Sequence, residues 1–489
     1  MPKPTHPSST PPLVVAFDLG TTALKAVLFH GRTERHRLQF PYPLHAEQPG
    51  QATQRLPDLM QAFTLALGSL EEYLTRHDLT PQAAGFSNAM HTLTLIRPGG
   101  PSDVFTFADL RASTGGYPVT HLHAQTGVPW HPMTPAVKLA ALHAAGQLID
   151  VERVSGVKEE LLRRFFGVYW TDQSTASATG LLGRGGTYDP QALALAEVTA
   201  AQLPSIHPIE TPLPPLQPTY RARYPRLAAA HWAIGASDGV TATEGLGITR
   251  PDQAALSVGT SSAIRTFTPR PANDPHAHLF SYRADHSGQE RYLTGGPSNN
   301  AGIVLNWLRD HLNVPHDLDD LLHATTPGAR ELLFLPALSG ERAPLWDPRV
   351  SGSLLGLGLH HGPHDIARAG MEGVALHLAW LSDLLASGTQ PLREYRATGG
   401  LTRSRAWLRV LANALNAPVL IPDGADLFEG SAFGAALIAA RSAGLDLPHT
   451  LTFDAVEPDA DAPLYATLGR KYRHAALALQ TLTHDLRAL

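Results

Sequence analysis

Asp18-Leu19-Gly20-Thr21-Thr22-Ala23-Leu24-Lys25 gathers a carboxylate, a glycine, two hydroxyls and an ammonium in one short stretch. Carboxylate and hydroxyl oxygens suit a hard cation, backbone N–H groups freed by a glycine suit phosphate oxygens, and an ammonium offsets their charge. The chemistry on offer is the grip of a phosphate chain with its Mg2+. A second copy stands at Val258-Gly259-Thr260-Ser261-Ser262, further along by roughly half the chain, as two similar lobes would place it. Walker A loops and dinucleotide fingerprints need several spaced glycines opening a helix, whereas here a β-rich run follows the glycine.

Three other clusters carry reactive groups. Gly235-Ala236-Ser237-Asp238-Gly239 sets a carboxylate in a glycine-flanked turn, where it could take a proton from a substrate hydroxyl. The same residues match the Gly-x-Ser-x-Gly nucleophile elbow, which would make Ser237 the attacking group of an α/β-hydrolase. That alternative leaves the repeated phosphate turn without a purpose. His91, Asp109 and Arg111 form a polar set able to hydrogen-bond the hydroxyls of a sugar, and Arg111 could pair bidentately with the carboxylate of a sugar acid. Gly399-Gly400 ahead of a helix opening near Ser404 lets a nucleotide approach backbone closely. His121 and His123 lack a third ligand at recognisable spacing and are expected in a solvated turn.

These groups need elements to hold them. Val14–Leu19 and Ala26–Phe29 are apolar and β-rich, so the first phosphate turn belongs to a hairpin. Apolar residues spaced three to four apart predict a helix over Leu56–Arg76, started by Pro57 or capped by Thr53. Ala83–Ser87 predicts a buried strand ending in Ser87-Asn88-Ala89-Met90-His91, and Val104–Phe107 one that delivers Asp109 and Arg111. Helices are expected over Pro135–Leu148 and Gly156–Gly167, then a polar loop over Asp172–Gly180. Gly183–Pro225 is dense in Pro and Gly and reads as irregular, with one helix at Gln191–Leu203. In the second half, helices are expected over Asn300–His311 and His364–Ala386. A strand at Tyr395–Thr398 enters Gly399-Gly400, and Phe428–Ala443, small and apolar on all sides, predicts a buried helix.

With 489 residues the chain exceeds one ordinary core. The expected division is a disordered tail at 1–12, a sugar-binding and phosphate-loop domain at 13–246 and a nucleotide-binding domain at 247–489. A formal charge of −5 without long basic runs argues against nucleic acid or an anionic membrane as partner. No stretch has the length of a membrane span or the order of a signal peptide, so a cytoplasmic location is expected. Zero cysteines exclude disulfides, thiolate metal sites and a cysteine nucleophile. A homodimer stays open.

Taken in order, the motifs resemble the FGGY carbohydrate kinases of the actin-like ATPase superfamily, and among them the gluconate kinases. Asp18-Leu-Gly-Thr-Thr22 is similar to the family's first phosphate loop, and Ser87-Asn-Ala-Met-His91 with Ala108-Asp-Leu-Arg111 to its sugar-contact loops. Met133-x-Pro135-x-x-Lys138-Leu139 and Gly352-x-Leu354-x-Gly356-Leu357 resemble its two signatures. Thr126-Gly-Val-Pro-Trp-His-Pro-Met133, Ser177-Ala-Thr-Gly180 and Gly295-Gly-Pro-Ser-Asn-Asn300 resemble gluconate kinases in particular. The resemblance implies two actin-like (ribonuclease H-like) α/β domains with a central cleft for nucleotide and sugar. It implies ATP and Mg2+ as cofactors and D-gluconate phosphorylated at its 6-hydroxyl, with xylulose or another sugar as the alternative.

Site residues carry over position by position. Asp238 is the implied catalytic base beside the substrate, and Asp18 the metal ligand, with Gly20, Thr21, Thr22 and Lys25 on the phosphates. Gly259, Thr260, Gly302, Asn306, Gly399, Gly400 and Ser404 fall where the family meets ATP. Met90, His91, Asp109, Arg111 and Met133 fall where it meets sugar. Ala141 and Phe107 stand where the family usually has tryptophan, which touches the sugar pocket rather than the phosphoryl chemistry. An actin-like regulatory ATPase, the remaining alternative, would have no use for Asp238 with the His91, Asp109 and Arg111 set.

Overall fold

The computed structural model describes residues 11–112, 119–315, 317–423, 429–448 and 451–486. Most of the expected tail, and Phe428 of the expected buried helix, lie outside them. The chain forms two compact units. The first comprises the described residues of Met1–Gly247, Ser281–Leu293 and Glu429–Thr450, and the second those of Ile248–Phe280, Thr294–Phe428 and Leu451–Leu489. Two segments from the second half of the sequence therefore pack with the first unit.

The first unit is built on a sheet ordered His231–Trp232, Ala83–Asn88, Leu13–Leu19, Ala23–His30, Thr33–Pro41. Leu13–Leu19 and Ala23–His30 are the expected hairpin, antiparallel with Asp18 opposite Lys25 and Leu19 opposite Leu24. Ala83–Asn88 lies parallel to Leu13–Leu19, with Asp18 beside Ser87. The helix Leu56–Arg76 covers this sheet with Phe63, Leu67, Leu70 and Leu74 buried, and its entry carries Pro57 in the first turn, where a missing N–H costs nothing. Phe17 stacks on Trp232 at 5.5 Å and meets Phe63 edge-on at 5.1 Å, so the core is aromatic at its centre. The buried helix is found at Gly430–Ser442, with Ala432 to Ala440 all buried.

The end of the Ala83–Asn88 strand gains a further neighbour. Ala236–Ser237 pairs with it in parallel, Ala236 beside Ser87 and Ser237 beside Asn88. Between this pairing and His231–Trp232 the chain must bulge past Phe86, and Gly235 does so with φ +72°. A Cβ at Gly235 would sit 1.9 Å from the Phe86 carbonyl oxygen, so only glycine fits.

The second unit repeats the scheme. Gln253–Val258 and Ser262–Thr268 form the second hairpin, with Val258 opposite Ser262. Glu394–Thr398 lies parallel to its first strand, with Ser257 beside Thr398, and Val419–Pro422 and Phe453–Val456 continue the sheet. Helices Gly302–Leu312, Pro363–Gly388 and Arg405–Leu415 belong to this unit, and Trp407, Leu408 and Leu411 are fully buried in its core.

Several expectations change, and Gly183–Pro225 holds a second helix, Pro218–Arg223, and a strand, Ser205–His207, besides the helix Pro190–Ala196. Gln173–Ala178 is a helix rather than a loop, because Asp172 caps it by accepting from Ser174 and Thr175 N–H. Asp238 opens a helix, Asp238–Gly245, instead of lying in a turn. His121 and His123 sit on the helix Val119–Thr126, His123 buried and His121 Nε2 2.7 Å from Gln191 Oε1, so neither lies in a solvated turn.

Glu244, on the helix that Asp238 opens, is buried between Arg291 at 2.6 Å and Arg441 at 3.1 Å, with His286 at 4.0 Å. Burial alone would raise its pKa, but the two guanidinium charges hold it near 2. A carboxylate with a depressed folded pKa stabilises the fold above its ordinary value and loses that contribution as pH falls. Glu244→Gln is expected to lower unfolding free energy at neutral pH by about 3 kcal/mol. Urea denaturation checks it, and the gap to wild type should close as pH falls from 4.5 to about 2.

Candidate active site

In the second unit a cavity of about 490 Å³ opens between the second hairpin turn and the two helices beyond it, within the size range of small-molecule sites. Gly259 and Thr260 of the turn, Gly302 and Asn306 of the first helix, and Gly400 and Ser404 line it. Gly302 N donates to Gly259 O at 2.8 Å, which docks the helix start against the turn. Gly399 does not line the cavity and has a backbone role instead. At φ +111° its Cβ would fall 2.7 Å from Val258 C and O, so glycine alone lets the strand Glu394–Thr398 turn away beside the hairpin. Ser404 caps the helix Arg405–Leu415 by accepting from Trp407 N at 3.0 Å, and it donates to Asp319 at 2.5 Å. Sequence reasoning missed Asp317, Asp319, Arg309 and Arg403, which also line the cavity; isolated charges carry no periodic signal that marks them.

In the first unit the hairpin turn is braced from behind. Gly20 O accepts from the Tyr42 hydroxyl, Thr21 O from Gln54 Nε2 at 2.6 Å, and Thr22 O from Tyr42 N at 3.2 Å. With its three carbonyls engaged by protein, the turn keeps acceptor oxygens from an approaching anion. Asp18 is buried and its Oδ1 has no hydrogen-bond partner among the described residues. Burial pushes its pKa up, against a hydrogen bond from Ser87 and the charge of Lys25, while Glu429 adds to the upward shift. A desolvated carboxylate oxygen without a donor is the ligand a hard divalent cation takes, so the site's donor set fits one. Lys25 donates to Glu429 at 2.7 Å, and Arg37 pairs with the same carboxylate at 2.9 Å. Glu429 lies 404 positions from Lys25, beyond any local pattern.

The residues expected at the sugar fall into two groups. Met90 and His91 follow the strand Ala83–Asn88, and Asp238 emerges beside that strand end because Ser237 pairs with Asn88. His91 holds φ +63°, an uncommon conformation for a side-chain-bearing residue and one that clusters at functional positions. Its Nδ1 lies 2.7 Å from Ala178 O, and a carbonyl only accepts, so Nδ1 carries the proton in the neutral ring. Nε2 then faces the Tyr282 hydroxyl at 3.5 Å. Asp238 accepts from Gly239 N at 2.8 Å. Ser237 Oγ is buried with no hydrogen-bond partner among the described residues, and its φ of −61° is ordinary extended backbone, so among those residues neither the base nor the strain of a nucleophile elbow accompanies it.

The second group is Asp109, Arg111, Lys138 and Met133. Asp109 is buried, accepts from Ala52 N at 3.0 Å, and takes Arg111 Nη2 at 2.7 Å and Nε at 3.1 Å. Lys138 donates to the carbonyls of Pro132 and Met133, both at 2.7 Å, and thereby closes the Trp130–Met133 loop. A cavity of about 400 Å³ is lined by Asp109, Arg111, Lys138, Phe105 and Gln147 among others.

Comparison with known proteins bears on this geometry. The family model described as the FGGY family of carbohydrate kinases, C-terminal domain, matches residues 254–443. A gluconokinase of Bacillus subtilis (strain 168) is 30% identical over 493 residues, covering 95% of this chain and 92% of that protein. The chain belongs to the FGGY family of carbohydrate kinases. The structure of a gluconate kinase from Lactobacillus acidophilus matches with a TM-score of 0.90 at 29% identity, over 98% of this chain and 100% of that one. A ligand-bound xylulose kinase from the same organism matches at 0.88 and 30% identity, over 96% and 98%. The kinase thus has the actin-like two-domain α/β fold, with a sugar as its small-molecule substrate and ATP as the donor its family uses. Among its described residues no helix is long and apolar enough to cross a membrane.

Burial drives the Lys138 pKa down to about 7, with Asp109 opposing and Arg111 adding to the shift. The unfolded chain then binds more protons than the folded one between about 7 and 10.5, so this group makes stability rise with pH across that window. The slope should approach about 1.4 kcal/mol per pH unit. Lys138→Met is expected to flatten it, as measured by chemical denaturation at a series of pH values.

Proposed function

We propose that this kinase transfers the γ-phosphoryl group of ATP to the 6-hydroxyl of D-gluconate, in the cytoplasm. The observation that carries the choice of acceptor is Arg111, held by the buried Asp109 at the wall of a cavity, together with likeness to gluconokinases over nearly the whole chain. A buried carboxylate without a partner costs several kcal/mol, so a sugar acid needs a cation or several donors in its pocket. Arg111 supplies both. A neutral ketose is the second reading, favoured by the likeness to xylulose kinase.

In this reading Met90, His91, Asp109, Arg111 and Met133 hold the sugar, and Asp238 accepts the proton of the attacking hydroxyl. The hydroxyl oxygen bonds to the γ-phosphorus as the bond from that phosphorus to the β-bridging oxygen breaks, and ADP leaves with the bond's electrons. Gly259, Thr260, Gly302, Asn306, Gly400 and Ser404 hold the nucleotide, with Gly399 shaping the turn. Gly20, Thr21, Thr22 and Lys25 meet the phosphates. Asp18 would hold Mg2+, which when bound offsets phosphate charge.

A coupled ADP-release assay over D-gluconate, xylulose and glycerol tests the reading; gluconate should have the highest kcat/KM. Arg111→Gln keeps hydrogen-bonding capacity but removes charge, and should cut the preference for gluconate over a neutral polyol by about 2 kcal/mol, near thirtyfold. A wild type preferring xylulose, or a variant losing both substrate classes equally, defeats the gluconate assignment. Asp238→Asn should fold, bind ATP and lose roughly two to four decades in kcat, whereas Ser237→Ala stays mild. The reverse pattern would return the nucleophile to Ser237.

A further inference from the structure

Lys158 and Asp172 form an ion pair with both side chains at 0% exposure. Such a pair, stripped of water, seldom stabilises a fold more than apolar side chains of equal volume would, so stability alone does not account for it. Its connections do. Asp172 Oδ1 accepts from Ser174 N at 2.8 Å, Ser174 Oγ at 2.5 Å and Thr175 N at 3.1 Å. Oδ2 accepts from Lys158 Nζ and from Thr175 Oγ1, the latter at 2.5 Å. Burial opposes this ionisation, but Lys158 and the hydroxyl donors outweigh it and hold the carboxyl below its usual range.

An ionised carboxylate can only accept, so the single Ser174 hydroxyl proton must point at Asp172. The lone pairs of Ser174 Oγ are thereby turned to the Ser237 N–H, 2.9 Å away. Ser237 is the residue before Asp238 and the N-cap of its helix. The pairing register sets Ser237 beside Asn88, at the end of the strand that leads to Met90 and His91. Through Ser174 one buried carboxylate thus reaches the backbone N–H of Ser237, which pairs with the neighbouring strand end at Asn88. We propose that Lys158, Asp172 and Ser174 are positioning residues for the phosphoryl-transfer step, holding the backbone that presents the Asp238 carboxylate to the acceptor hydroxyl. The proposal rests on Asp238 being the base.

The experiment compares Ser174→Ala, Ser174→Thr, the charge-neutral pair Lys158→Met/Asp172→Asn, Asp238→Asn and Ser174→Ala/Asp238→Asn. Each is melted and assayed with ATP and with D-gluconate, xylulose and glycerol as acceptors. Ser174→Ala and the neutral pair should melt close to wild type, keep KM for ATP and lose about tenfold to a hundredfold in kcat, the scale of a slightly misplaced group. Ser174→Thr restores the hydroxyl and should recover most of the loss. Added to Asp238→Asn, Ser174→Ala should cost nothing further, because both act through one carboxylate. If Asp238→Asn is crippled while Ser174→Ala and the neutral pair keep kcat, the base stands and the positioning role falls. An equal loss from Ser174→Ala in both backgrounds places its action elsewhere and overturns the proposal. Retained kcat in Asp238→Asn, or a wild type inactive on every acceptor, removes the base reading and the proposal with it. If neither Ser174→Ala nor the neutral pair folds, the network is structural and the proposal is wrong.

Discussion

In each unit, the parallel pairing of a hairpin's first strand with one later strand decides where the chemistry-bearing residues emerge. Asp18 beside Ser87 and Ser257 beside Thr398 are equivalent registers. In both, the hairpin turn and the end of the neighbouring strand leave the sheet together. The first unit uses that strand end for Met90 and His91, and the second uses it for Gly399 and Gly400. A one-residue slip in either register would turn alternate side chains to the wrong face and separate turn from strand end. The aromatic packing of Phe17 on Trp232 and Phe63 holds the first register, since Phe17 belongs to the strand that carries Asp18.

Around this frame the first unit buries charge where an apolar group would pack at less cost. Lys158 with Asp172, Lys138 under the Pro132 and Met133 carbonyls, and Glu244 between Arg291 and Arg441 are three such cases. Glu244 ties segments distant in sequence, and in the Lys158–Asp172 and Glu244 cases charged partners hold the buried carboxyl in its ionised form. Directionality is what an apolar contact could not provide. A buried carboxylate fixes which way a neighbouring hydroxyl donates, and a buried ammonium fixes which carbonyls a loop turns inward.

Much of the frame is legible in the sequence because its signals are local. The hairpin at Asp18 is marked by apolar β-rich runs on both sides of Gly20-Thr21-Thr22, and Leu56–Arg76 by its spacing of Leu59, Phe63, Leu67 and Leu70. The helices at Gln173–Ala178 and Asp238–Gly245 were not legible, since their small polar residues have no apolar period and weak intrinsic preference. The cap at Asp172 was the available clue, with Ser174 and Thr175 N–H two and three places on. Glu429 as partner of Lys25 and Arg37, and the packing of Ser281–Leu293 and Glu429–Thr450 with the first unit, depend on contacts between distant segments. No spacing rule reaches so far.

The same distinction explains why family is better determined than acceptor. Where the nucleotide is proposed to bind, glycines at 259, 302 and 400 line the cavity, and the backbone at Gly399, with φ +111°, leaves no room for a Cβ. Such positions tolerate little variation and leave recognisable words in a sequence. On the proposed acceptor side, the side chains have settings made by others: Arg111 by Asp109, His91 by Ala178 O and Tyr282, and the Met133 loop by Lys138. Residue types proposed to meet the sugar can persist while those supports shift by a fraction of an ångström. A kinase of this fold can therefore keep its phosphoryl-transfer apparatus nearly unaltered while changing the hydroxyl compound it accepts, and the acceptor must be decided from the supporting contacts rather than from the motif.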